Sequence, residues 1–173
     1  HAMAVMRKQE SGGSILGITS GAFTASTAQP NYSAAKGGIV SLTRSAAMTA
    51  ASISLRGGPA INANCLAPTA RTRMSENVPF EIETGEASDI APMAVYLLSD
   101  KAREINAQIY SVVGRRISVW NQPKEIRTMF APGDAWTPTE IEEMLPNTIK
   151  QEPNPFIDDL ERRMKEMAQG DGS

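Results

Sequence analysis

Tyr32 and Lys36 stand four residues apart in Tyr32-Ser-Ala-Ala-Lys36. On a helix this spacing puts both side chains on one face. A free phenol titrates near pH 10 and is a poor base at neutral pH. An ammonium about 4 Å away, at an effective dielectric of about 20, favours the phenolate by roughly 4 kcal/mol. That brings a phenol into the range of general acid–base chemistry. Taken alone, the pair also reads as a core tyrosine beside a solvated lysine, so the surrounding elements decide between the two.

Those elements alternate. Met3 and Met6, with Ala2 and Val5, suit the last turns of an amphipathic helix within His1–Lys8. Ser14–Thr19 reads as a short buried strand, with Thr19 and Ser20 at its carboxyl end, where open α/β sheets place ligands. A long helix is expected from Asn31 or Tyr32 to about Ser52, with Ala35, Ile39, Leu42, Ala46 and Ala50 as its apolar face. Ile61–Leu66 reads as a second strand, followed by a loop over Ala67–Met74. Ser88 is placed to cap a helix reaching about Leu98. Gln108–Val113 reads as a third strand, turned by Gly114-Arg115-Arg116 and continued by Ile117–Trp120. Gly21–Pro30 and Asn77–Glu86 read as irregular. Strands alternating with helices at this spacing predict βαβ units and a parallel sheet.

The composition is that of ordinary globular protein: 173 residues, 41% hydrophobic and 21% charged. A net charge of −2 argues against a nucleic-acid or membrane-surface protein held by bulk charge. One cysteine excludes an intrachain disulfide, and one cysteine with one histidine argues against a zinc site of the Cys/His type. No apolar run approaches the roughly 18 residues of a membrane span, and no signal-peptide pattern opens the sequence. A cytoplasmic location is expected. Prolines crowd the last third, so residues 1–122 are expected to form the main domain and 123–173 a helical C-terminal extension. Thr137-Pro138-Thr139-Glu140 has capping-box spacing for a helix to about Leu145. Asn154-Pro155 can start another, with Phe156, Leu160, Met164 and Met167 on one face and Gly170 at its stop.

Together, the strand-end Ser, Tyr32-x-x-x-Lys36 on a long helix, and Asn64-x-x-x-Pro68 leading to a Thr resemble the catalytic half of the short-chain dehydrogenase/reductase family. Asn31–Lys36, Ala67–Met74, Ile90–Leu98 and the late Gly114-x-x-Ile117-x-x-Trp120 are similar to the branch holding the (3R)-hydroxyacyl-CoA dehydrogenase unit of the peroxisomal multifunctional enzyme and its bacterial relatives. The resemblance covers residues 1–122. It implies a Rossmann-like, doubly wound α/β fold and an NAD- or NADP-dependent oxidoreductase that interconverts a secondary alcohol and a ketone, with a 3-hydroxyacyl-CoA as one substrate. By the same resemblance Tyr32 is general acid and base. Lys36 tunes it and hydrogen-bonds the nicotinamide ribose. Ser20 holds the substrate oxygen, and Thr19, Tyr32, Lys36, Pro68, Thr69, Ala70 and Thr72 border the cofactor. The family's Ser-to-Tyr count, applied strictly, lands on Thr19. Ser20 is preferred, with one loop residue deleted, because Ser20-Gly21-Ala22 reads like the family's segment. A homo-oligomer, dimer or tetramer, is expected.

The family's first half should carry a Gly-rich turn between a strand and a helix, to hold pyrophosphate. Gly12-Gly13 and Gly57-Gly58 each precede a strand, and Gly37-Gly38 lies within the long helix, where it suggests close packing. The N-terminal half of the fold is therefore expected to be missing. The alternative to an enzyme is a truncated dehydrogenase that serves as an oligomerising or interaction module. Cys65 reads as core, Arg71 and Arg73 as either phosphate ligands or solvated cations.

Overall fold

A computed structural model describes residues 1–24, 29–73, 83–149 and 154–170. The chain divides into two units, His1–Asn121 and Gln122–Ser173. The first contains α1 (Ala2–Met6), β1 (Gly13–Ile18), a 3-10 turn over Gly21–Phe23 and α2 (Pro30–Leu55). It continues with β2 (Ile61–Thr69), a 3-10 turn over Ala87–Asp89, α3 (Ala91–Leu98), β3 (Ile109–Val113) and β4 (Arg116–Val119). The sheet order is β1-β2-β3-β4. The first three strands are parallel and β4 runs antiparallel to β3.

Successive residues of a strand face opposite sides of the sheet. Cys65 of β2 packs with Val40 of α2 and Ile109 of β3. Leu66, the next residue, packs with Met93 and Leu97 of α3 and Val112 of β3. So α2 covers one face and α3 the other, which is the expected Rossmann-like α/β arrangement.

Ser88 does not cap α3 but lies inside the 3-10 turn before it, which Glu86 and Asp89 cap reciprocally, and four further local expectations need correction. First, α2 buries Val40, Thr43, Ala47 and Ala50, whereas Leu42 is 71% exposed and Ala35 is exposed. Ala50 is buried and Ile39 packs on the core as expected, but between them the inward face is turned by one residue, where the helix crosses β1 at Gly17. A Cβ on Gly17 would lie 2.5 Å from Thr43 Oγ1 and 3.1 Å from Ile39 Cγ2. Close approach over a glycine outweighs the burial of one leucine. Second, Gly37 and Gly38 are not packing glycines: a Cβ on Gly38 would meet nothing within 4 Å, and one on Gly37 only Phe23 O at 3.8 Å.

Third, β2 does not stop at Leu66. Ala67, Pro68 and Thr69 pair with Ser111, Val112 and Val113. A proline fits there because successive peptide groups point alternately to the two neighbouring strands. Leu66 accepts from Thr19 N on the β1 side, so Pro68 faces that side too. There β1 has already ended at Ile18, and no ladder bond requires the missing N–H. Fourth, Ile117–Trp120 does not prolong β3. It turns back as β4 through Gly114-Arg115, with Gly114 at φ +52°. Such two-residue hairpins favour glycine at positive φ.

In the irregular stretches, Gly21–Phe23 forms its own turn, while residues 25–28 and 74–82, Met74 among them, lie outside the described residues. Asn64 serves the fold. Its Nδ2 donates to Ile105 O at 2.7 Å, and its Oδ1 accepts from Gln108 N at 3.0 Å, fixing the entry to β3.

In the second unit α4 spans Pro138–Thr148. Thr137 caps it as expected, accepting from Glu140 N at 3.3 Å while the Glu140 carboxylate accepts from Thr137 N at 2.8 Å. The Thr137 hydroxyl also donates to the Glu140 carboxylate at 2.7 Å, and this bond first, then that from Thr137 N, holds the Glu140 carboxyl below its ordinary value. The helix runs past Leu145 through Pro146. Asn147 Nδ2 and Thr148 Oγ1 donate back to the carbonyls of Glu143 and Met144 in that last turn. α5 spans Pro155–Gly170, and Asn154 Oδ1 accepts from Phe156 N at 3.0 Å at its start.

Candidate active site

Tyr32 lies in the first turn of α2, which Pro30 opens at a position that needs no N–H. It is 40% exposed. Lys36 follows one turn later. Its ammonium stands 5.7 Å from the Tyr32 ring centroid, over the ring. That is a cation–π distance. The same ammonium donates to the main-chain carbonyl of Ile18 at 3.2 Å, so the end of β1 orients it.

Thr19 and Ser20 leave β1 in different directions. Thr19 is buried, 2% exposed. Its N–H donates to Leu66 O at 2.8 Å and its hydroxyl to Lys36 O at 2.8 Å. Ser20 is half-buried and caps the 3-10 turn, its Oγ accepting from Ala22 N at 3.3 Å. A hydroxyl that accepts there keeps its own proton to give. The fold therefore brings Thr19, Ser20, Tyr32 and Lys36 to one strand end and one helix start. Of the two hydroxyls, only that of Ser20 reaches partly to the surface.

Pro68 and Thr69 end β2, beyond the last residue of β1 that pairs with it. They stand at the carboxyl edge of the sheet, where α/β folds bind ligands. Ala70 bridges to Gly85, and Arg71 N donates to Gly85 O at 2.7 Å. Thr72 lies past that bridge and is exposed, as are Arg71 and Arg73. Cys65 takes no part in this surface. It is 1% exposed, and burial pushes its thiol above the ordinary value despite the opposing effects of Thr43 and Arg44. Sequence reasoning missed the Ile18 carbonyl as the partner of Lys36. A main-chain acceptor leaves no side-chain signal, and only the strand end beside the Tyr-Lys helix could have suggested it.

Comparison with known proteins agrees with this geometry. The sequence pattern of the family described as Enoyl-(Acyl carrier protein) reductase matches residues 1–114. The hydroxyacyl-CoA dehydrogenase ChsB1 of Mycobacterium tuberculosis is 32% identical over 147 residues, covering 78% of this chain and 44% of the relative. The 3-oxoacyl-[acyl-carrier-protein] reductase FabG of Staphylococcus epidermidis is 35% identical over 122 residues, covering 63% of this chain and 47% of the relative. The peroxisomal hydratase-dehydrogenase-epimerase of Saccharomyces cerevisiae is 34% identical over 104 residues, covering 59% and 11%. The crystal structure of a short chain dehydrogenase from Mycobacterium avium superposes with a TM-score of 0.68 at 32% identity, covering 88% of this chain and 52% of that one. The chain thus spans less than half the length of these curated relatives. Motif, sheet and matched pattern agree, and the chain belongs to the short-chain dehydrogenase/reductase family.

Proposed function

We propose that this chain carries the catalytic half of an NAD(P)-dependent oxidoreductase that interconverts a secondary alcohol and a ketone on a 3-hydroxyacyl thioester such as a 3-hydroxyacyl-CoA. The observation that carries the reading is the placement of Lys36. It is held by the Ile18 carbonyl at 3.2 Å and stands over Tyr32, beside the strand end that bears Ser20. The thioester class follows that of the hydroxyacyl-CoA dehydrogenase ChsB1 and the 3-oxoacyl-[acyl-carrier-protein] reductase FabG.

The residues present fit one end of a nicotinamide nucleotide. Pro68 and Thr69 form an edge beyond β1 with no ladder partner on that side, and two of the three Lys36 ammonium protons remain for a ribose. Among the described residues no glycine-rich strand–turn–helix exists for pyrophosphate. When bound, the nucleotide supplies or accepts the hydride. Tyr32 takes the hydroxyl proton of the alcohol in oxidation and returns it in reduction. Ser20 donates to the substrate oxygen, where negative charge develops. Lys36, over the Tyr32 ring, anchors the ribose; the Thr19 hydroxyl holds the Lys36 main chain, while Ala70 and Thr72 continue the cofactor border past Pro68 and Thr69.

We place the working protein in the cytoplasm as a homo-oligomer. Cys65 is a free thiol, and no helix among the described residues is long and apolar enough to cross a membrane. Lys36 and Arg44 are the only charged side chains in the 26 residues of α2, and Leu42 and Met48 stand exposed on it. That surface suits another helix better than water.

The test is turnover of acetoacetyl-CoA with NADH or NADPH, followed at the nicotinamide absorbance. Tyr32→Phe is expected to abolish turnover while nucleotide binding, read by NADH fluorescence titration, survives. Undiminished turnover in Tyr32→Phe overturns the assignment.

A further inference from the structure

We propose that the β3–β4 hairpin braces both loops flanking the site, so that Trp120 and the Gly114–Arg116 tip are positioning residues for the reaction; this rests on reading Ser20, Tyr32 and Lys36 as the site. The hairpin reaches one loop from each of its ends.

At the base, Trp120 follows β4 and its N–H donates to Ile109 O at 2.9 Å. Its ring packs on the cluster of Val40, Cys65 and Ile109. There it meets Phe23 edge-to-face, with ring centroids 4.9 Å apart at 68°. Phe23 closes the turn that Ser20 caps: Phe23 N donates to Ser20 O at 3.0 Å. The ring pair therefore ties the turn bearing Ser20 to the core.

At the tip, Gly114 meets Gly85 backbone to backbone. A Cβ on Gly85 would lie 2.2 Å from Gly114 Cα and 2.4 Å from Gly114 N, so only glycine fits. Arg116 Nη2 pairs with Glu83 Oε2 at 2.6 Å. Gly85 in turn accepts from Arg71 N and bridges Ala70, the residues that directly follow Pro68 and Thr69. The tip thus sets the course of the chain where it leaves the cofactor edge.

Two readouts test this in the full chain. The first is amide hydrogen exchange without ligand. Trp120→Leu is expected to speed exchange of the Phe23 and Thr24 amides at least tenfold and to leave that of Arg71 unchanged. Gly85→Ala is expected to do the reverse. Unchanged exchange at both sites overturns the brace. The second is steady-state turnover of acetoacetyl-CoA with NADH. Trp120→Leu is expected to raise KM at least fivefold with kcat within twofold and an unshifted pH profile, and Trp120→Phe to restore KM. A Trp120→Leu protein with a lowered melting temperature but an unchanged KM makes Trp120 plain core and overturns its positioning role. A wild-type protein that neither binds NADH nor turns over counts against the dehydrogenase reading alone, and the exchange result still decides the brace.

Discussion

The Thr19 hydroxyl donates to the carbonyl of Lys36 at 2.8 Å, while the Lys36 ammonium donates to the carbonyl of Ile18 at 3.2 Å. The last residue of β1 and the one after it thus hold one helical residue by its side chain and its main chain. The latch fixes the start of α2 against the end of β1, and with it the position of Tyr32. Thr19→Val keeps the shape and removes the donor, and Lys36 O remains inside a helix. We expect a loss of about 1 kcal/mol, a fall of roughly 2–4 °C in melting temperature, and turnover within about tenfold of wild type. Ser20→Ala should cost a factor of about 100 or more in kcat, the usual effect of removing a donor to a developing oxyanion. Steady-state kinetics of the two variants, side by side, decide which hydroxyl works; the opposite ranking assigns the role to Thr19.

Thr43 of α2 passes directly over Gly17 of β1. A methyl on Gly17 would sit 2.5 Å from Thr43 Oγ1 and 3.4 Å from Cys65 Sγ. Overpacking of this kind costs about 1–3 kcal/mol. Gly17→Ala should therefore lower the urea midpoint, and adding Thr43→Ala should recover part of the loss, a coupling that a double-mutant cycle reads directly. Gly38→Ala adds a methyl where nothing lies within 4 Å, in a helix. It should raise stability by up to about 1 kcal/mol. Additive effects of Gly17→Ala and Thr43→Ala would mean that the helix shifts instead of clashing.

The two glycine sites also show what the sequence discloses and what it hides. Alternation of strands and helices, the Tyr-Lys pair and the caps at Thr137 and Asn154 follow local rules, and each is present where those rules put it. The inward face of α2 was not legible, because it depends on which strand residue lies beneath the helix. Gly17 is a partner across space, and hydropathy favours Leu42 over Thr43. The turn at Gly114 was legible, but the return of Ile117–Val119 along β3 was not: the stretch is apolar enough to run onward, and its direction comes from a two-residue hairpin with Gly114 at φ +52°. In the candidate site, side-chain identities were readable, whereas the Ile18 carbonyl and the Phe23–Trp120 contact exist only once the sheet has formed.

The Glu83 carboxyl is held below its ordinary value chiefly by the hydrogen bond from Arg116. Its folded pKa lies below its unfolded one, so the pair stabilises the fold above the carboxylate's unfolded pKa of 4.5. That contribution fades as pH falls through the lower folded value. Arg116, raised by the same hydrogen bond, stays charged throughout this range. Comparing Arg71 amide exchange in wild type and Glu83→Gln removes the intrinsic pH dependence. The ratio of variant to wild type should exceed 1 at about pH 7 and fall toward 1 at about pH 3. A ratio flat across that range would show that the exposed pair does not anchor the chain at Gly85.

Gly12 and Gly57 both adopt left-handed backbone, at φ +67° and +78°, and differ in what surrounds them. A Cβ on Gly12 would lie 1.8 Å from Ala60 O, whereas one on Gly57 would meet nothing within 4 Å. Ala60 O also accepts from Gly13 N and from Arg103 Nη1, whose guanidinium reaches Ser11 O as well. This crowded acceptor joins the starts of β1 and β2 and has no room to retreat. Gly57→Ala should therefore cost only the conformational penalty, about 1 kcal/mol. Gly12→Ala adds a backbone collision and should cost more than about 3 kcal/mol, enough to lower soluble yield sharply. Denaturant titration of both variants separates backbone strain from collision. Equal losses would mean that the β1–β2 junction yields and that Gly12 is needed for its φ alone.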